Sequence, residues 1–139
     1  MKRRRIIDAI DWIKARSDLE SKGVALLGQV LDAPECLELT RMYADKDRFR
    51  SQVVMKRHAF GRGTYQYFAN PLPAVVENLR KMAYEQLQPI ASSWMSQLNE
   101  KATFPKTYRQ FDRLCSQHGQ ARPTPLLLHY TVGGFNCLH

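Results

Sequence analysis

Carboxylates are scarce in this chain. Thirteen Asp and Glu stand against twenty-one Lys and Arg, a formal net charge of +8 over 139 residues. Such an imbalance permits long-range attraction to polyanions, so nucleic acid is a possible partner. It suits equally a solvated basic surface, or charge balanced by a carboxyl-terminal part outside this sequence. Cysteine is sparse too: Cys36, Cys115 and Cys137 are an odd number at irregular spacing in a chain without a secretory segment, which argues against a disulfide framework. Met1-Lys-Arg-Arg-Arg resembles the charged start of a signal peptide, but Asp8 and Asp11 interrupt the Ile-rich run behind it. No run approaches the length of a membrane span. Together these absences read as a cytoplasmic chain with no membrane partner. Internal repeats, low-complexity tracts and interdomain linkers are also missing, so residues 1–139 read as one domain, and 44% apolar content supports a globular core. Neither a P-loop nor a Rossmann glycine signature occurs, and no nucleophile–base pair is placed by spacing.

What is present alternates between helical and strand-like patterning. Ile6, Ile10 and Ile13 recur at helical spacing, with Trp12 and Leu19 further on and Gly23 as a stop, which predicts an amphipathic helix to about Lys22. Gly23-Val-Ala-Leu-Leu-Gly28 is short, apolar and bounded by glycine, and suits a strand. Asp32 precedes Pro34 and Glu35, the pattern of an N-cap acceptor with a carboxylate at the capping-box position, so a second helix should run to about Tyr43. After Pro71 and Pro73, Val75, Val76, Leu79, Ala83 and Leu87 fall near one helical face. Pro89 restarts or kinks this helix, and Ile90, Trp94 and Leu98 continue it as core positions, with Trp94 expected to be largely buried. A last helix should place Tyr108, Phe111, Leu114 and Cys115 inward and stop at Gly119.

Between these helices lies a basic block. Val53, Val54 and Met55 favour a strand, Gly61-Arg-Gly63 a turn, and Tyr65, Tyr67 and Phe68 a returning strand, so residues 46 to 73 hold a hairpin. Arg48, Arg50, Lys56, Arg57 and Arg62 beside Tyr65 and Tyr67 could serve nucleic acid, since cations track phosphates and aromatic faces stack on bases. Arg57, His58 and Arg62 are the candidates for substrate contact. The plainer reading is an edge hairpin that carries cations to prevent edge-to-edge association while its aromatics pack inward.

The chain's last stretch reads P-L-L-L-H-Y-T-V-G-G-F-N-C-L-H from Pro125 to His139. Leu126 to Leu128 form a short apolar run and Gly133-Gly134 a turn, so strand, turn and strand are expected, with Phe135, Cys137 and His139 on one face of the second strand. A histidine at a carboxyl terminus is ordinarily a solvated tail residue. Here its neighbourhood argues otherwise. The blocks D-R-F-R-S-Q-V-V-M-K-R-H-A-F-G-R-G-T-Y-Q-Y-F, P-L-P, G-Q-A-R-P-T-P-L-L-L-H-Y and F-N-C-L-H, in that order between about Gly23 and His139, resemble a bacterial family of 2-oxoglutarate/Fe(II)-dependent oxygenases related in fold to prolyl hydroxylases and alkylation-repair oxygenases.

That resemblance implies an α+β fold in which a helix-rich N-terminal part with the basic hairpin (1–123) leads into the first strands (124–139) of an incomplete double-stranded β-helix, or jelly roll. The apolar periods themselves predict an α+β fold in which helices 75–98 and 108–118 pack on a sheet made from residues 23 to 30, the hairpin and the terminal strands. The resemblance also implies dioxygenase chemistry: hydroxylation of a C–H bond by O2, coupled to oxidative decarboxylation of 2-oxoglutarate at Fe(II). His139 matches the first histidine of a His-x-Asp pair, whose i and i+2 side chains share one strand face and can take adjacent metal positions. Tyr130 matches a phenol that hydrogen-bonds 2-oxoglutarate, and it should share with His139 a cavity open on one side. The second carboxylate ligand, the distal histidine and the basic residue for 2-oxoglutarate have no counterparts in the sequence. The expectation is therefore a truncated gene product, inactive by itself. Two other classes compete. One is a basic nucleic-acid-binding module without catalysis, and the other a zinc module drawing four ligands from Cys115, His118, His129, Cys137 and His139.

Overall fold

In the computed structural model, residues 9–138 are described. Ile6 and Ile7, at the start of the expected first helix, and His139 lie outside them. The architecture of the described residues is α+β, with four helices and two antiparallel sheets. Its residues cluster into two compact units. One contains the residues up to Glu38 with Leu79–Asp112, the other Leu39–Asn78 with the residues from Arg113 onward. No described helix is long and apolar enough to cross a membrane.

The first unit is helical, and its ends are written locally. Helix α1, Trp12–Lys22, begins where the Asp11 carboxylate accepts from the Lys14 backbone N–H at 2.9 Å and ends where Gly23, at φ 72°, donates its N–H to the Leu19 carbonyl. Its inward side is Trp12, Ala15 and Leu19, spaced three and four apart; Ile13, read as part of the apolar face, is 87% exposed. The expected strand at 23–30 is not formed: Gly23 and Gly28 both take positive φ, Leu26 is 92% exposed, and no strand among the described residues pairs with the segment. Helix α2, Ala33–Met42, opens with the predicted capping box, as Asp32 accepts from the Glu35 N–H and Glu35 from the Asp32 N–H, each at 2.9 Å.

Helix α3, Ala74–Gln97, runs through Pro89 without stopping. Ile90 is buried beside that proline, but Trp94 is 36% exposed and Leu98 68%, so the apolar stripe expected to continue inward past Ile90 turns toward solvent. Within the first unit, Tyr84 stacks on Phe111 with ring centroids 5.0 Å apart and donates its hydroxyl to the Pro105 carbonyl, while Gln88 donates to the Phe104 carbonyl. Helix α4, Tyr108–Gln117, half-buries the four positions read as inward, Tyr108, Phe111, Leu114 and Cys115, and Gly119 follows at φ 87°.

The second unit is built on a three-stranded sheet. Strand β1, Phe49–Val54, pairs antiparallel with β3, Thr64–Phe68, and β3 pairs on its other edge with β4, Leu126–His129. The link from β1 to β3 is longer than a simple turn: a 3-10 segment at Met55–His58, then β2, Gly61–Arg62, which leaves the sheet to pair with β5, Phe135–Asn136. Alternation along β3 divides its side chains. Gln66 and Phe68 are buried on one face, and Tyr65 and Tyr67 are half-exposed on the other, meeting edge to face at 5.6 Å. The core is Met42, Phe68 and Val76, flanked by Leu39, Phe49, Leu72, Val75 and Leu127. Buried Gln66 is satisfied by donating to the Tyr43 carbonyl at 2.8 Å.

Candidate functional site

Three backbone devices position the terminal strands. The Pro125 carbonyl accepts from Phe68 N–H at 3.0 Å, so the proline that bounds the apolar run also starts the β3–β4 ladder. Thr64 opposes His129 at the end of that ladder, and Tyr130 is the first residue beyond it. A turn closed by Gly134 N–H on the Thr131 carbonyl at 2.8 Å, with Gly133 at φ 78°, then sends the chain back along β2 as β5. The predicted strand, turn and strand are therefore present, although the second strand pairs with β2 and not with β4.

Tyr130 is 39% exposed. Its ring lies over Gly63, where a Cβ would stand 2.8 Å from Tyr130 Cδ1 and 3.0 Å from Cε1. Gly63 thus leaves the space that the phenol occupies, a role that reading Gly61-Arg-Gly63 as a plain turn does not reveal. The Tyr130 hydroxyl makes no hydrogen bond to the described residues. His139, the expected first metal ligand, lies outside the described residues, so its position relative to Tyr130 is not part of this geometry.

The metal readings can be weighed on the remaining donors. Among the described residues no group of three or more His, Cys, Asp and Glu is arranged to hold a metal ion. A four-ligand zinc site drawn from Cys115, His118, His129, Cys137 and His139 needs at least three described residues together, so that module is set aside. His129 instead lies with its ring 4.9 Å from that of Tyr43, whose hydroxyl shares a 2.6 Å hydrogen bond with Thr64. The described residues do not by themselves fit an Fe(II) site either, and no carboxylate occurs after Asp112 in the sequence.

The hairpin cations separate into two groups. Arg48 pairs with Asp45 at 3.1 Å, and Arg50 lies over the Tyr67 ring at 4.5 Å while donating to the Pro123 carbonyl at 3.0 Å. These two serve the fold; Tyr67 is engaged by Arg50, and Tyr65 and Tyr67 meet each other edge to face. Lys56, Arg57, His58 and Arg62 are exposed, and none takes part in an ion pair among the described residues. Phe60, missed in the sequence reading, stacks on His58 at 5.4 Å and is 47% exposed.

Charge is also divided between the units. The second unit contains nine Lys and Arg against three Asp and Glu, a balance of +6, and has no carboxylate from Arg48 to Val76; the first unit accounts for the other +2.

Known proteins place this arrangement. The chain belongs to an oxygenase family. That family is described as an oxygenase catalysing oxidative methylation of damaged DNA, and the match covers residues 63–139, from the glycine under Tyr130 to the terminal histidine. Two uncharacterised proteins of Mycobacterium tuberculosis, from the CDC 1551/Oshkosh and H37Rv strains, are each 35% identical over 92 residues, covering 66% of this chain. The chain spans 37% of the length of these relatives. No solved structure matches it.

Proposed function

We propose that this chain forms the N-terminal part of a 2-oxoglutarate- and Fe(II)-dependent dioxygenase acting on damaged DNA. In this reading β4, the glycine turn and β5 are the first strands of a jelly roll. The observation that carries it is the family match over residues 63–139, which takes in both Tyr130 and His139. Tyr130 is assigned to hold 2-oxoglutarate on the family resemblance, with its ring seated on Gly63 and 39% exposed. His139 is assigned as the first iron ligand. A single histidine does not hold Fe(II) as three convergent ligands do, so in this reading the 139-residue chain alone is expected not to turn over 2-oxoglutarate. Damaged DNA comes from the family's description, and the positive balance of the sheet unit is consistent with it.

The test is succinate release from 2-oxoglutarate by a full-length family member given Fe(II), ascorbate and damaged DNA. His139→Ala at the equivalent position should abolish release. Tyr130→Phe should mainly raise KM for 2-oxoglutarate, by roughly ten- to hundredfold if one hydrogen bond to a charged group is lost. Undiminished turnover in the histidine variant rejects the ligand assignment.

A further inference from the structure

We propose that the loop from Lys56 to Arg62 is a contact surface for single-stranded nucleic acid, with Phe60 and His58 as a stacking platform and Lys56, Arg57 and Arg62 facing phosphates. This rests on the nucleic-acid substrate of the preceding reading and adds where, and in which form, the strand is held. The loop precedes the family match at residue 63, so that match does not assign it.

Two observations select these residues from the other cations of the hairpin. All are exposed, but Arg48 is engaged by Asp45, and Arg50 by the Tyr67 ring and the Pro123 carbonyl, whereas the loop cations have no ion pair among the described residues. No carboxylate lies within the 48–76 segment to neutralise them. Phosphate contacts need exposed cations in this state. The aromatics divide in the same way: Tyr65 and Tyr67 pack on each other, while His58 and Phe60 stack nearly parallel, 24° between planes, with Phe60 about half in water. A flat exposed ring beside cations is what an unpaired base can stack on. In a duplex, base faces are covered by their neighbours, so the platform favours a single strand or an unpaired nucleotide.

The loop is also fixed before any ligand arrives. Met55, at its root, is 1% exposed and donates its N–H to the Gly63 carbonyl at 3.0 Å. Phe60 N–H reaches back to the Met55 carbonyl at 3.1 Å, and the Phe60 carbonyl accepts from Cys137 N–H at 2.8 Å. Ala59 is held at φ 57°, in the left-handed region that a residue with a Cβ seldom adopts, and Gly61 at φ 131°. Backbone held this way indicates a loop whose shape is determined by its surroundings, and such a loop loses little freedom on binding.

The experiment is fluorescence anisotropy of the 139-residue protein with a labelled single strand and with its duplex, across a salt series. Phe60→Leu, Phe60→Tyr, the triple Lys56→Gln/Arg57→Gln/Arg62→Gln and a control, Lys101→Gln, are compared with wild type. The single strand should bind more tightly than the duplex. Phe60→Leu should weaken it roughly tenfold, as expected for one lost stacking contact, and Phe60→Tyr should retain binding because the ring remains. The triple variant should reduce the slope of log K against log salt by about 2, from three phosphate contacts on a single strand. Lys101→Gln should match wild type. Wild-type affinity in Phe60→Leu, a wild-type slope in the triple variant, or a preference for duplex overturns the loop assignment and leaves the oxygenase reading standing. Absence of salt-dependent binding to either DNA overturns the nucleic-acid substrate and the loop together. Should Phe60→Leu melt early, the slope of the triple variant and the preference for single strand over duplex still decide.

Discussion

At the scale of single residues, three glycines define the terminal strands by what they lack. Gly61 sits at φ 131°, and a Cβ there would stand 2.2 Å from the Phe135 carbonyl oxygen, a backbone atom that cannot move without breaking the β2–β5 pair. Gly133 also has positive φ, but a Cβ there would meet only the Arg62 guanidinium, at 3.7 Å. The two substitutions therefore differ in kind. Gly61→Ala should cost roughly 2–4 kcal/mol, combining strain with the lost pairing, and Gly133→Ala about 1–2 kcal/mol of conformational strain alone. Denaturant unfolding of the two variants checks the order, and equal costs would contradict the close approach at Gly61. Gly63 is the third. Its missing side chain makes room for the Tyr130 ring, so the phenol's orientation depends on a residue 67 positions earlier in the chain.

At the scale of elements, what was legible in the sequence was what is decided within a turn of chain. Asp32 and Glu35 could be recognised as a capping box because both hydrogen bonds span three residues, and Gly23 as a helix stop because αL geometry favours glycine. The strand expected at 23–30 failed for a matching reason: apolar content permits a strand, but a strand exists only with a partner, and none is paired there. Helix α1 offers a local test with a definite sign. Asp18 is bonded by Lys14 and by Lys22, at 2.8 Å for the latter, and these bonds hold its carboxyl below the ordinary Asp range while raising the Lys14 ammonium. A depressed folded-state pKa means that the contribution is present above the unfolded-state Asp pKa and is lost as pH falls through the lower folded value. The Asp18 carboxyl resonance should accordingly titrate below those of unpaired aspartates, and Asp18→Asn should flatten the acid limb of α1 unfolding. The effect will be small, since both ammonium partners are about two-thirds exposed (66% and 64%) and salt screens them. A titration in the ordinary range would show that the ladder does not persist in solution.

At the scale of the molecule, sequence patterning stops being informative where contacts join distant segments. The pairing of Gly61–Arg62 with Phe135–Asn136, the turn of the α3 stripe toward solvent at Trp94, and the gathering of +6 into the sheet unit all depend on which segments meet. The total of +8 could be counted, but its division could not. The same non-local logic makes β3 the centre of the sheet unit. It is paired on both edges, and Phe68, 1% exposed, packs with Met42 and Val76 and stacks on Phe49 at 4.8 Å. Truncating a buried aromatic costs about 3–5 kcal/mol, through lost burial and the cavity left behind, which is a large share of a small domain's stability. Ile13, 87% exposed on α1, has almost nothing to lose. Phe68→Ala should therefore accelerate amide exchange together through β1, β3 and β4, because the middle strand supports both neighbours, whereas Ile13→Ser should shift stability by no more than about 0.5 kcal/mol. In wild type, the β3 amides should exchange more slowly than those of β5, whose ladder is only two residues long. Exchange that speeds up in β3 alone, leaving β1 and β4 protected, would mean that the three strands are not one cooperative sheet. The positions assigned to Tyr130 and the basic loop would then lose their common support.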